Sequence, residues 1–367
     1  MKTHRRIGLP GTSTRSLTRR GILKGGASLA GALALPALPL LSSAAHAAPL
    51  DALEIWGPPA GPSITVLHAI ATGRLDKAAT KASLRVWRQV DEVRAGLTSK
   101  RLDVAIMPVP VAANLYNRGL GVRLVNVMTN GILYIMSADP EMTSLATLKG
   151  RRLAVMAPNE LPNLILQRLF KHAGMDGAKD VELVPTGTPL ESIQLLVLGR
   201  VDAALAPEPA ASAAVVRGKL AGKTIHRVMD IQAEWARLTG AEPILPQAGL
   251  AVTDAFRTAH PDAVEALQAG LQRAAADVNA YPARAASNAA GPLQLPWPVI
   301  EQSIPFSHLV ATAARDARTH VETVLEAMAV VNPGYIGGRL PDGDTAHEGL
   351  DHLHHFHRKR LAQGQVR

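Results

Sequence analysis

Residues 199–212 read GRVDAALAPEPAAS, an apolar run from Val201 to Leu205 that ends in Pro207-Glu208-Pro209. A short, nearly continuous apolar segment is the signature of a strand buried on both faces of a parallel sheet, and proline ends such a strand because it has no N–H for the ladder. The stretch therefore predicts a strand whose carboxyl end carries Glu208. In open α/β sheets that edge is where ligands bind.

Working outward, residues 101–110, RLDVAIMPVP, align without a gap on residues 200–209, RVDAALAPEP, at a fixed offset of 99. A second pair lies upstream of each, at an offset of 100: IWGPPAGPS with Pro58 and Pro62, and VMAPNELPN with Pro158 and Pro162. Each reads as strand, turn and helix, with proline at an early helical position. Two independent pairs at nearly one offset predict a duplicated half. Within the second half, VELVPTG reads as a strand, TPLESIQLLVLG as a helix and VDAALA as a strand. Thr188-Pro189-Leu190-Glu191 supplies a capping box with proline at N1, and Gly199 the residue that closes the helix.

Strands alternating with helices predict an α/β fold with a mainly parallel sheet in each half. The first lobe is expected over 48–132 and the second over 133–245. QAGLAVTDAF (247–256) reads as a strand returning to the first lobe, so residues 246–342 join it. The chain then crosses between lobes twice, near Ile132 and Gln247, which makes a two-strand hinge. Most of the chain beyond residue 256 carries apolar residues at helical spacing, including SHLVATAARDARTHVETVLEAMAVV (307–331).

Net charge would point to a nucleic-acid or membrane partner if it were spread over the chain, which is 367 residues long and carries +9. It is not spread. Seven of the 39 bases and none of the 30 acids fall in residues 1–47, leaving 32 bases against 30 acids. The nucleic-acid expectation loses its basis there. The leader runs from basic SLTRRGILKGG through a weakly apolar stretch to Ala45-His46-Ala47, the order of a cleaved secretory signal. Arg19-Arg20 resembles a twin-arginine signal, so a periplasmic location is expected. The chain has no cysteine, which excludes disulfides, thiolate metal sites, a cysteine nucleophile and a lipid-anchored cysteine. No G-x-S-x-G elbow, H-E-x-x-H or phosphate-cradling glycine loop is present, and no enzyme, cofactor or metal is expected. HEGLDHLHHFHRKR, in the tail at 343–367, reads either as a solvated segment or as an accessory chelator; the solvated reading is adopted.

The leader, the strand-loop-helix at IWGPPAGPS, GRVDAALAPEP, IPFSH and NPGYIGGRLPD together resemble the nitrate, sulfonate and taurine type of periplasmic substrate-binding protein of ABC importers. The resemblance implies a type II periplasmic-binding fold whose two α/β lobes close over one small ligand, with a membrane permease as partner and a monomeric state. It also takes in binders of thiamine-type pyrimidine precursors. Pyrimidine-forming enzymes on this fold carry a cysteine-rich signature, which this chain lacks. A ligand-sensing role stands as the alternative to import.

Strand ends and helix starts then predict five ligand loops: Gly61, Pro62 and Ser63; Met107 and Pro108; Thr129 and Asn130; Asn159; and Thr186, Gly187 and Thr188 with Glu208 beside them. Gln247 joins them at the second crossing. Helix N-termini favour accepting or anionic ligand groups, while Glu160 and Glu208 favour donors, so a zwitterionic or heterocyclic ligand fits the mixture better than a bare oxyanion. With the ligand class that the resemblance implies, the expected solute is a small nitrogen- or sulfonate-containing organic molecule. Ser63, Thr129 and Asn159 are equally suited to local capping and turn bonding. Trp56 and Trp87 are expected in the core. Glu208 is expected to accept a hydrogen bond from a ligand N–H.

Overall fold

A computed structural model describes residues 48–156 and 159–341. The leader at 1–47 and the histidine-rich tail at 343–367 lie outside the described residues. The first half runs β1 (Leu53–Gly57), α1 (Gly61–Ala71), β2 (Ala82–Val86), α2 (Val90–Thr98), β3 (Val104–Pro108) and α3 (Val109–Asn117), then the short strands β4 (Val122–Leu124) and β5 (Asn126–Thr129). The second runs β6 (Leu133–Ser137), β7 (Arg152–Met156), α4 (Leu161–His172), α5 (Gly177–Asp180), β8 (Glu182–Thr186), α6 (Pro189–Val197), β9 (Ala203–Pro207), α7 (Ala210–Leu220), β10 (His226–Asp230) and α8 (Ile231–Thr239). The chain then returns through β11 (Ala248–Thr253) to α9 (Asp254–Ala259), α10 (Pro261–Ala280), α11 (Pro282–Leu293), α12 (Trp297–Ser303), β12 (Leu309–Ala313) and α13 (Arg318–Val331).

Two five-stranded sheets result, in the orders β2-β1-β3-β11-β4 and β10-β6-β9-β7-β8. This is the two-lobed α/β architecture expected, and the repeat underlies it. β1 and β7 start 99 residues apart, α1 and α4 100, β2 and β8 100, and β3 and β9 99. The offset thus extends to β2 and α2, which the sequence motifs did not mark. In each sheet the three repeat strands are parallel. The other two strands are antiparallel to their neighbours. The reversal has a topological cause: the chain enters β6 and β11 straight from the other half, travelling away from the crossing edge, whereas β3 and β9 run toward it.

Local signals explain the boundaries. Thr188 accepts from Glu191 N–H at 3.1 Å, and Pro189 opens α6. Glu191 completes the cap one residue earlier than a standard box, accepting from Gly187 N–H at 2.8 Å. Gly199 follows α6 at φ +72°, the left-handed conformation that ends a helix cheaply only with glycine. The two Arg-x-Asp aspartates tie neighbouring strands together, Asp202 to the start of β7 and Asp103 to the end of β11. Asp202 accepts from Arg152 N–H at 2.8 Å and from its guanidinium at 3.0 Å, while Asp103 accepts from Thr253 Oγ1 at 2.9 Å. Arg152 holds the Asp202 carboxyl below its ordinary value.

The C-terminal part corrects one expectation. Leu309–Ala313 is strand β12, paired antiparallel with β5, and only Arg318–Val331 of the expected helix is helical. A tertiary partner, β5, overrides the helical spacing of this alanine-rich segment. Helix α13 packs against both α3 and α4. Val324, Leu325 and Met328 accordingly share one apolar cluster with Val109 and Ala113 of α3 and Leu164 and Leu169 of α4.

Candidate functional site

Both parallel strand sets end, at their carboxyl edges, in the loops that start α1, α3, α4, α6 and α7. The loops before α1 and α4 stand at equivalent places in the repeat. Neither Ala60 nor Glu160, the respective N-cap residues, caps its helix with a side chain. Helix starts carry up to four N–H groups without an intrahelical partner, and the macrodipole makes them attractive to negative or accepting ligand atoms. Gly61, Pro62 and Ser63 are buried in the first turn of α1. Ser63 Oγ is taken by Pro58 O at 2.6 Å, so its hydroxyl shapes the turn and leaves backbone groups as what this loop can offer.

At the start of α4, Asn159 is exposed and Asn163 is buried, with its Oδ1 lacking a hydrogen-bond partner. Burial raises the Glu160 carboxyl above its ordinary value, with Arg94 opposing and Asp91 adding to the shift. Those two residues belong to the first turns of α2, so the start of α4 lies within electrostatic reach of the first half. Tyr335 borders the same place: burial raises its hydroxyl, and the Glu160 charge raises it further.

The remaining expected contacts divide plainly. Met107 is buried and Pro108 partly so at the end of β3, next to the crossing strands. Thr186 Oγ1 donates to Val155 O at 3.0 Å and lies 2.6 Å from Ser192 Oγ. With Gly187 N–H and Thr188 Oγ1 engaged in the α6 cap, the fifth loop spends its polar groups on itself. Trp56 and Trp87 lie in one buried cluster with Val93 and Leu102, as core residues. Their indole N–H groups donate to Glu54 at 2.8 Å and to Ile106 O at 3.1 Å.

Thr129, Asn130 and Gln247 build the crossing. Thr129 Oγ1 donates to Ser307 O at 2.7 Å and accepts from Gly131 N–H at 3.0 Å. Leu245 N–H donates to Asn130 O, and Ile132 N–H to Gln247 Oε1, both at 2.8 Å. The two crossing stretches therefore hydrogen-bond to each other. Gly131 lies between them at φ +141°, where a Cβ would also overlap Gln232 Cγ. Gln232 is held in turn, accepting from Leu133 N–H at 3.0 Å.

Glu208 answers the question raised by its two prolines in structural terms. Its side chain is fully buried and turned onto α7 and β10. It accepts from Ser212 N–H at 3.0 Å and from Arg227 Nε and Nη2 at 2.8 and 2.5 Å. Burial pushes the carboxyl up, and Arg227 and Ser212 oppose that by favouring the charged form. With those lone pairs occupied, the carboxylate is a scaffold group and leaves the set of candidate contacts. Arg227, on β10, is the residue the sequence did not reveal. Its guanidinium also donates to Ser212 Oγ at 2.6 Å and lies 3.7 Å from the Phe306 ring centroid. Tyr134 joins this cluster, donating from its hydroxyl to Phe306 O at 2.9 Å. Second-half Arg227 and Tyr134 thus grip the 303–309 segment beside the crossing.

Among the described residues no group of three or more histidine, aspartate and glutamate side chains could hold a metal ion, and no helix is long and apolar enough to cross a membrane. No curated protein matches the chain. Solved structures share its fold. An ABC transporter protein from Parabacteroides distasonis aligns at 20% identity with a TM-score of 0.70, covering 82% of this chain and 100% of its own. The periplasmic aliphatic sulphonate binding protein SsuA from Escherichia coli aligns at 18% identity with a TM-score of 0.61, covering 77% and 94%. The periplasmic nitrate-binding protein NrtA from Synechocystis PCC 6803 aligns at 12% identity with a TM-score of 0.55, covering 70% and 71%. Residues 95–285, more than half of the sequence, match the family model described as NMT1/THI5 like, and the chain belongs to that family.

Proposed function

We propose that the chain is the solute-binding component of an ABC importer, taking a small nitrogen- or sulfonate-containing organic solute between its lobes and delivering it to a membrane permease. The observation that carries this reading is the pair of uncapped helix starts, α1 and α4, at equivalent strand ends on either side of a hydrogen-bonded double crossing. A solute touching both gains affinity for the closed arrangement over the open one, and only such a difference can drive closure. Accepting groups of the solute meet the N–H groups at Gly61 and Leu161, while Asn163 Oδ1 and Glu160 accept from its donors; Ser63 N–H is held by Ala60 O at 3.0 Å. The likeness in fold to proteins named as sulphonate- and nitrate-binding supports the ligand class. We read the role as capture rather than catalysis, in a monomer exported by the twin-arginine leader, with residues 48–132 and 246–342 as one moving lobe and 133–245 as the other.

A thermal-shift screen of the protein against small sulfonates, nitrate, amino sulfonates and pyrimidines tests the ligand class. The pyrimidines belong there because the sequence resemblance extends to pyrimidine-precursor binders. A specific solute at a hundred times its Kd stabilises by about 2.7 kcal/mol. Small-angle scattering with that solute should then show compaction; an unchanged radius of gyration at saturation removes the closure mechanism. Replacing Arg19 and Arg20 with lysine should abolish periplasmic delivery in fractionated cells.

A further inference from the structure

At the end of the second sheet opposite the helix starts, α6 and α7 finish side by side. Lys223 Nζ donates to Val197 O at 2.6 Å, and Lys223 N–H donates to Gly218 O at 2.8 Å, which draws the two helix ends into one corner. Leu198 and Leu220 project from it, 61% and 83% exposed, the two most exposed leucines among the described residues. Arg200, Arg217, Lys219 and Lys223 surround them, all exposed. Among the described residues none of the four forms an ion pair. Neither 192–201 nor 209–229 contains an acid, and nearby Asp202 is already paired with Arg152.

Basic residues in a last helical turn offset the macrodipole, which accounts for Arg217 and Lys219. It does not account for leucines left in water beside them. We propose that this corner docks on a bilayer surface containing anionic phospholipid, with Leu198 and Leu220 entering the interface and the four cations meeting the headgroups. Juxtaposed cations and protruding aliphatic side chains are the chemistry of peripheral membrane attachment. Two leucines flanked by the Gly199 and Gly222 turns offer little against the roughly 800 Å² per partner of a stable protein interface, so the bilayer fits better than a protein. The corner is remote from α1 and α4, leaving their N-termini open to solute. Attachment of this kind also suits a chain that has no cysteine to carry a lipid.

The same absence provides the test. Ala221→Cys in the full chain, labelled with an environment-sensitive dye, reports on the corner alone; Lys77→Cys in the first half serves as the reference position. Vesicles containing phosphatidylglycerol should blue-shift the dye at 221 and leave it unchanged at 77. Pure phosphatidylcholine should leave both unchanged, and molar salt should suppress the shift. Leu198→Gln with Leu220→Gln should raise the lipid concentration at half-shift by roughly tenfold or more with melting unchanged, and charge reversal of Arg217 and Lys219 should raise it likewise, with a small fall in melting because the end of α7 loses its favourable cations. The proposal is overturned by no shift at 221, by equal shifts at 221 and 77, by wild-type partition in those variants, or by a shift that requires membrane proteins. Each outcome is independent of which solute the cleft takes.

Discussion

Glu208→Gln tests the buried pair beneath the strand end. In the folded protein the carboxylate accepts three hydrogen bonds, from Ser212 N–H and from two guanidinium nitrogens of Arg227. A glutamine has one oxygen, so its NH₂ must face either Arg227 or the Ser212 N–H, donor against donor. Removing one charge of a buried pair costs about 3–5 kcal/mol, because the survivor stays desolvated. Arg227 keeps 14% of its side chain exposed and rests on the Phe306 ring, which puts the loss near the lower end, about 3 kcal/mol. At roughly 2 °C or more per kcal/mol, melting should fall by about 6 °C. Circular dichroism melts and urea titration of Glu208→Gln, Arg227→Met and the double variant provide the assay. The double variant should lose less than the two single losses combined, since it leaves no lone charge. Melting within about 1 °C of wild type, or a coupling below about 0.5 kcal/mol, refutes the reasoning.

Three further outcomes are expected. Gly131→Ala should cost roughly 1–3 kcal/mol in urea titration, since the Cβ must displace Gln232 and the residue must keep φ +141°. Glu160→Gln should raise melting near pH 7, with the gain fading in melts toward pH 4. The folded carboxyl titrates above its unfolded value, so the wild type is penalised as pH rises through that folded value and is relieved below the unfolded one. Asp202→Asn should behave in the opposite sense. Its folded carboxyl titrates below the unfolded value, so the wild-type advantage is present above the unfolded value and disappears in melts as pH falls through the folded one.

Much of the scaffold could be read from local signals. Proline at helix starts, the Thr188 cap and the recurring Arg-x-Asp followed by an apolar run act over a few residues, and each marks a boundary that the fold uses. The return strand β11 was legible from its short apolar run in QAGLAVTDAF, and the structure adds that Thr253 caps α9, accepting from Phe256 N–H at 3.2 Å. The direction of Glu208 was not legible. Whether a carboxylate at a strand end faces solute or core depends on a partner 19 residues later, on an edge strand whose HRVMD offers no cue to which face Arg227 takes. Thr186, Thr188 and Gln247 illustrate the same limit: residue types suited to a ligand are equally suited to closing their own turns, and only geometry distinguishes the two uses. Strand β12 was hidden because its pairing with β5 spans about 180 residues, against a local alanine-rich pattern that reads as helix.

The sheet orders carry a consequence for how the molecule assembles from one end. In each sheet the strand beside the third repeat strand, β6 next to β9 or β11 next to β3, is the one the chain enters on leaving the other half. For the second sheet this strand comes first, so Leu133–Asp230 contains all five of its strands in one contiguous length. The first sheet is different. β4 pairs only with β11, and β11 fills the slot between β3 and β4. During synthesis the earlier half must therefore wait, with an open slot and two unpaired strand edges, until the later half has emerged and the chain has come back. The first-made half is the last to be finished, and the step that finishes it draws the second crossing stretch against the first.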